Sequence, residues 1–124
     1  MATGLENLNI YTLATDLEMQ VFNLTKLFPK DEKYRSIDQL RRSSSSVSNN
    51  ITEAYNKRSL KEKVRIFHDI VKGEAEETKR NLEMCAKKGF HKNIEIINKY
   101  TELLKMTSGY IRFLKLKNKD LPTY

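Results

Sequence analysis

Arginine and lysine are the residues of this chain whose number and spacing best support a specific chemistry. An arginine binds phosphate oxygens through two parallel N–H donors, whereas a lysine acts as a mobile point charge. Two adjacent arginines precede a denser group of cations, and a third group follows further along the chain. The candidate phosphate-binding residues are Arg41, Arg42, Lys57, Arg58, Lys61, Lys63, Arg65, Lys87 and Lys88.

The whole chain is basic, and its positive charge is unevenly distributed. The net charge is +7, from 23 basic and 16 acidic residues. Residues 1–29 contain three acidic residues and one lysine, a net of −2, so the rest of the chain carries +9. Such a field favours a polyanion partner, RNA or DNA first. The alternative is that the charge only keeps a small domain soluble.

The sequence contains no pattern typical of a base-reading module. Helix-turn-helix spacing, zinc-finger ligands and an aromatic RNA-binding platform are all missing from it. We therefore expect any binding to nucleic acid to be directed at the backbone, weakly sequence-specific and sensitive to salt.

The residues that catalysis or metal binding requires do not form a recognisable set. Di-metal helical bundles use Glu-x-x-His, but Arg65 stands three residues before His68, and Lys88 three residues before His91. No glycine-rich phosphate loop, G-x-S-x-G elbow or H-E-x-x-H pair occurs. The single Cys85 is expected to be a small buried side chain. We therefore expect no enzymatic activity, no catalytic residue, no metal and no cofactor.

Apolar residues recur at helical spacing along four segments. In the second segment Ile37, Leu40, Ser44, Val47, Ile51 and Ala54 follow steps of three and four residues. Helices are predicted over residues 7–28, 36–58, 60–88 and 93–117. Four helices with short connectors predict an all-α fold, an antiparallel up-down-up-down four-helix bundle formed by residues 1–124 as one domain.

Local signals predict how these helices begin, end and pack. Ser36 with Gln39 and Ser59 with Glu62 have the spacing of N-terminal capping boxes. Gly89 follows two lysines, which is typical of a helix C-terminus. Gly73, in the middle of the third helix, is expected to pack closely against another helix. A four-residue step repeated near it predicts a stutter in the apolar stripe.

Two further expectations concern assembly and location. The first and last helices carry more apolar and aromatic surface than one bundle face requires, which predicts self-association. The alternative is that connectors cover this surface, and Tyr34 is expected to anchor the connector 29–35. No secretory leader or apolar run of transmembrane length is visible, so we expect a cytoplasmic protein without a membrane partner.

Four motifs resemble those of one known family. Residues 39–58, QLRRSSSSVSNNITEAYNKR, resemble the QLRRAAxSIPSNIAEGxxR signature of the bacterial four-helix bundle proteins, also called large-subunit rRNA intervening-sequence proteins. Residues 24–34, LTKLFPKDEKY, are similar to its LTxxFPxxExY. FHDIVKGEAEE at 67–77 is similar to FLxIAxGSxxE, and MTSGYIRFLK at 106–115 to MLxGLIxSLK.

The resemblance implies a four-helix bundle that assembles as a homopentamer. Members of the family are encoded within rRNA genes, and relatives are accessory proteins of reverse transcriptases in diversity-generating retroelements. There a basic pentamer engages nucleic acid and the polymerase, so the resemblance implies RNA or DNA and a reverse transcriptase as partners. It brings no catalytic residue.

The signature segment also departs from the family pattern. Ser48 stands where the family has proline, and Ala54 where it has glycine. Arg41, Arg42, Asn50 and Glu53 match the signature. The arginines are expected either to contact nucleic acid or to have a structural role, with Arg41 or Arg42 pairing with Glu53 or capping a neighbouring subunit. Asn50 is expected to be a buried polar group that fixes helix register.

Overall fold

The computed structural model describes Leu5 and residues 8–119, with backbone alone at positions 118 and 119. Within this part of the chain the fold is all-helical, with no strand. The helices are α1 (Asn9–Thr25), α2 (Asp38–Asn56), α3 (Leu60–Ile66), α4 (Lys72–Lys87) and α5 (Ile94–Lys119). A π-helical turn, Phe67–Val71, joins α3 to α4 as one continuous helix, so the described residues form four long helices. The predicted start of the first helix, at residue 7, lies outside the described residues.

The four helices surround one apolar core. α1 packs against α2 and α5, and α4 packs against the same two helices from the other side. The largest fully buried side chains come from every helix: Leu17, Val21, Leu40, Val47, Ile51, Ile66, Phe67, Val71, Leu82, Ile96, Tyr100 and Leu103. The apolar spacing of the sequence therefore identified the buried faces. In α5 the buried side includes Tyr100, Leu103, Thr107, Ile111 and Leu114, whereas Leu104 is only half-buried.

The second helix does not begin with the predicted capping box. Ser36 lies in a π-helical turn, Lys33–Ile37, that precedes α2, and its hydroxyl donates to Glu32 Oε1 at 2.6 Å. The serine is therefore bound to the connector and not to the first turn of α2. The other predicted capping box, at the start of α3, is confirmed for its serine. Ser59 Oγ accepts a hydrogen bond from the Glu62 backbone N–H at 3.1 Å.

The predicted stutter is accommodated by the π-helical turn. The Lys72 N–H bonds to the Phe67 carbonyl, five residues earlier, so this turn contains one more residue than an α-helical turn. The extra residue keeps Phe67, Val71 and Ala75 on the buried side despite their four-residue steps.

The glycine inside the third predicted helix and the glycine that follows its end behave differently. Gly73 is exposed, and a Cβ built there would meet nothing within 4 Å, so the predicted close packing is wrong. Gly89 has φ +83°, the left-handed conformation expected after a helix end. The Phe90 N–H closes this end by bonding to the Cys85 carbonyl at 2.9 Å.

None of the helices in the described part of the chain combines the length and apolar character that a membrane crossing requires.

Candidate nucleic-acid interface

Arg41 is directed onto the C-terminal end of α1. Its Nε donates to Thr25 Oγ1 at 2.9 Å, and one terminal nitrogen donates to the Phe22 carbonyl at 3.3 Å. The guanidinium also lies 4.5 Å from the centre of the Phe22 ring. Arginine is favoured at such a place because its flat cation stacks on a ring and still donates hydrogen bonds. Arg41 therefore connects α2 to α1 and has a structural role.

Lys63 has a similar role at the end of α2. Its Nζ donates to the Tyr55 carbonyl at 2.7 Å and lies 3.4 Å from the Ala54 carbonyl. Carbonyls in the last turn of a helix lack intrahelical partners, so a cation there is stabilising. Partial burial lowers the pKa of Lys63. This lysine caps α2 and is not directed towards solvent.

Three more of the predicted cations form ion pairs with acidic residues nearby on the chain. Arg42 lies 3.4 Å from Asp38, Lys57 lies 3.8 Å from Glu53, and Arg65 lies 3.3 Å from Glu62. The hydrogen bond from Arg65 lowers the pKa of Glu62. The predicted pairing of Arg41 or Arg42 with Glu53 is wrong. These ion pairs are exposed and each contributes little to stability. A phosphate group that binds these cations more tightly would therefore replace the carboxylates as their partners.

The remaining four predicted cations are the most available for an external anion. Arg58, Lys61, Lys87 and Lys88 are exposed, and none of them has an acidic partner within 4 Å among the residues that the structure describes. Arg58 and Lys61 flank the N-terminus of α3, whereas Lys87 and Lys88 end α4.

A further group of cations lies where two connectors meet. Phe28 packs against Phe90 with ring centres 5.5 Å apart, and stacks on His91 at 6.0 Å. These contacts bring the α1–α2 connector to the α4–α5 connector. Lys88 is also close enough to Glu32 to lower the pKa of that carboxyl, although the hydrogen bond from Ser36 is the larger cause. We call residues 29–35 and 87–92 the connector end.

The connector end is strongly basic. It contains two acidic residues and six basic ones, a net of +4. All six cations are exposed, and none forms an ion pair within 4 Å to another described residue: Lys30, Lys33, Arg35, Lys87, Lys88 and Lys92. Sequence reasoning missed Lys30, Lys33 and Arg35 as site residues because they are remote in the chain from Lys87. The composition of the connector, PKDEKYR, was the available signal.

Tyr34 does not anchor the connector as predicted. Its side chain is 83% exposed, and the Lys33 Nζ lies 5.3 Å from the centre of its ring. Phe28 anchors the connector instead, being 6% exposed. The aromatic residue adjacent to the connector cations is therefore open to solvent.

The histidines and the cysteine have ordinary structural surroundings. His91 Nε2 lies 2.9 Å from the Leu82 carbonyl, and its Nδ1 accepts from the Asn93 N–H at 3.0 Å. His68 is exposed beside Asp69. Cys85 is buried, as predicted, and burial raises the pKa of its thiol. Among the described residues no group of three or more His, Cys, Asp or Glu could hold a metal ion.

The comparisons with known proteins assign this helical arrangement to a family. The model of the 23S rRNA-intervening sequence protein family matches residues 6–109. The chain belongs to this family. The intervening-sequence fold is also seen in a solved structure of a protein of unknown function from the S23 ribosomal protein family of Bacteroides thetaiotaomicron. That structure is 24% identical, with a TM-score of 0.75, and the match covers 82% of this chain and 97% of the other. No curated protein matches this chain.

Several signature residues of this intervening-sequence protein have contacts within the fold. Ser48, in place of the family proline, donates to Glu18 Oε1 of α1 at 2.6 Å. Ala54, in place of the glycine, is fully buried. Asn50 is half-buried and donates to the Ser46 carbonyl at 2.8 Å, within its own helix, so it does not bridge helices as a register-fixing group would.

The outer surface of α2 in this intervening-sequence protein is polar and grooved. A groove of about 480 Å³ runs along it, lined by Arg41, Arg42, Ser45, Ser46, Asn49 and Asn50. A second, of about 310 Å³, lies between α2 and α4 and includes Glu74 and Glu77. The first groove offers hydroxyl and amide groups beside an arginine, whereas the carboxylates of the second would repel an anion.

Proposed function

We propose that this protein is a non-enzymatic, oligomeric nucleic-acid-associated protein that binds the phosphate backbone of RNA or DNA. The observation that carries the proposal is a group of eight exposed cations that have no acidic partner within 4 Å among the described residues, two at the start of α3 and six at the connector end. Cations that their own chain does not neutralise attract an external polyanion. The family name, 23S rRNA-intervening sequence protein, is consistent with a role near RNA.

The proposed arrangement is a single antiparallel bundle, and pairs of contacts support it. Between α1 and α2, Thr25 meets Arg41 and Glu18 meets Ser48, so the two helices run in opposite directions along their contact. Thr78 of α4 bonds to Ser43 of α2 at 2.7 Å. Together with the neighbouring Phe28 and Phe90, these contacts fit an up-down-up-down path.

The proposed oligomer would bury apolar side chains that one chain leaves open. Exposed apolar residues are concentrated on α1, just after it, and on α5: Met19, Phe22, Leu27, Ile94, Phe113 and Leu116. Large apolar side chains at 40% to 79% exposure favour association with another surface. The family resemblance favours a homopentamer and an accessory role beside a reverse transcriptase. We further propose a cytoplasmic location.

Filter binding at rising salt tests the proposed function. Labelled RNA and DNA of mixed sequence, single-stranded and duplex, would be titrated with protein from 50 mM salt upwards. We expect retention at low salt, little dependence on sequence, and loss of binding as salt rises. Absence of retention at 50 mM salt for every probe would remove the proposal. Sedimentation of the same samples tests the oligomer.

The second candidate function is a protein–protein assembly or adaptor bundle with no nucleic-acid role. The exposed apolar side chains on α1 and α5 favour it, because they suit a partner helix as well as a second copy. It predicts a specific protein partner in a pull-down and indifference to nucleic acid at all salt concentrations.

A further inference from the structure

The exposed ring of Tyr34 lies within the connector end, a strongly basic part of the described surface. The side chain is 83% exposed and stands between Lys33 and Arg35 in the chain. A large aromatic ring exposed to this degree contributes little to the core, so burial does not explain its place. Lys33 Nζ, 5.3 Å from the ring centre, puts a positive charge directly beside it.

Exposed aromatic rings beside cations are a known means of binding single-stranded nucleic acid. An unpaired base stacks on the ring, and neighbouring cations hold the phosphates on either side. In a duplex the bases are already stacked on one another, so the ring gains nothing from it. The pairing of Tyr34 with the six connector-end cations supplies both components.

We propose that the connector end is a binding site for single-stranded nucleic acid in which Tyr34 stacks on an unpaired base. The surrounding lysines and Arg35 hold the adjacent phosphates. The inference rests on the proposed nucleic-acid function and deepens it, because it names the strand type, the site and the residue that distinguishes single strands from duplex.

Fluorescence anisotropy with two probes of equal charge tests the site. One probe is a labelled twelve-nucleotide oligothymidylate, and the other is an abasic strand of the same length. Tyr34→Ala is expected to weaken binding to the oligothymidylate about tenfold and to leave the abasic strand unchanged. Tyr34→Phe, which keeps the ring, is expected to bind both probes as the unaltered protein does.

Phe113 provides the matched control. It is also an exposed aromatic residue, at 53%, with Lys117 Nζ 5.8 Å from its ring, but it lies on α5. Phe113→Ala is expected to preserve the preference for the base-carrying strand. Because Tyr34 is so exposed, Tyr34→Ala is expected to unfold at the same temperature as the unaltered protein, which excludes misfolding as the cause.

The outcomes separate this inference from the proposed function. If the unaltered protein binds neither probe nor a duplex of the same length, the proposed function fails and the site fails with it. If it binds the duplex alone, the site is wrong while the proposed function stands. If it binds both probes and Tyr34→Ala changes neither affinity, the stacking site is wrong while the proposed function stands. An equal loss of affinity for both probes in Tyr34→Ala would likewise overturn stacking, because it would show that the contribution of Tyr34 to binding does not depend on a base.

Discussion

Arg41 of α2 stacks on Phe22 of α1, with the guanidinium 4.5 Å from the ring centre, and bonds to Thr25 of the same helix. The contact joins the beginning of the second helix to the end of the first. Arg42, the next residue, is instead 74% exposed at its side chain and pairs only with Asp38. Two adjacent arginines of one motif therefore have different surroundings.

Substitution of the two arginines separates the structural role from the surface role. Arg41→Ala is expected to lower the free energy of unfolding by about 1–3 kcal/mol, because it removes a cation–π contact and charged hydrogen bonds. Arg42→Ala is the matched control and is expected to change it by less than about 0.5 kcal/mol. Urea unfolding followed by circular dichroism measures both. Equal stability of the two variants would contradict the assignment.

The glycines Gly73 and Gly89 give a second matched pair. Gly73→Ala is expected to stabilise the protein by about 1 kcal/mol, since the site is helical, exposed and open around the new Cβ. Gly89→Ala is expected to destabilise it, because φ of +83° suits glycine and strains alanine. Thermal unfolding of both variants is the measurement. A loss of stability in Gly73→Ala would indicate a close contact at that position.

Much of the fold could be predicted because apolar spacing reports burial. Leu40, Val47, Ile51 and Ala54, chosen from the sequence pattern, are all buried. Helix ends were less predictable, since the Ser36 hydroxyl donates to Glu32 and does not accept from a backbone N–H in the first turn of α2. A spacing pattern does not reveal which of two competing hydrogen bonds forms.

The candidate site was predictable only in part. Charge along the chain identified Arg58, Lys61, Lys87 and Lys88, which are exposed. It could not show that Lys63 and Arg41 bond to helix ends, because those contacts depend on how the helices pack. Nor could it show that the connector with Tyr34 meets the α4–α5 connector, which follows from the Phe28 and Phe90 contact.

Tyr100 has a buried hydroxyl that finds no hydrogen-bond partner among the described residues. Tyr100→Phe is therefore expected to leave stability unchanged or to raise it by about 1 kcal/mol, since an unpaired buried hydroxyl is costly. Urea unfolding at pH 7 measures the difference. A loss above about 1 kcal/mol would contradict the expectation, because it would show that the hydroxyl is bonded.

The buried hydroxyl of Tyr100 also predicts that the stability of the fold depends on pH in the alkaline range. Burial, and to a smaller extent the nearby Glu18, raises the pKa of Tyr100 above its ordinary value of 10.0. The unfolded chain then loses the phenolic proton before the folded protein does, so this group destabilises the fold as the pH rises above 10. The stability of Tyr100→Phe is expected to fall less steeply with pH over that range than the stability of the unaltered protein. Identical slopes of the unfolding free energy against pH would contradict this.

The salt dependence of binding tests the central claim most directly. The measurement is the affinity for a single-stranded oligonucleotide between 50 and 200 mM salt. It would be made for the unaltered protein, for a variant with alanine at Arg58, Lys61, Lys87 and Lys88, and for a control with alanine at Lys79 and Lys99. Both control lysines pair with acidic residues of their own helices.

We predict that log K falls linearly with log salt for the unaltered protein and the control. In the fourfold variant the slope should be shallower by about 0.7 for each cation that contacts a phosphate of the single strand. An affinity that does not change with salt, or an equal slope in the fourfold variant and the control, would contradict the account.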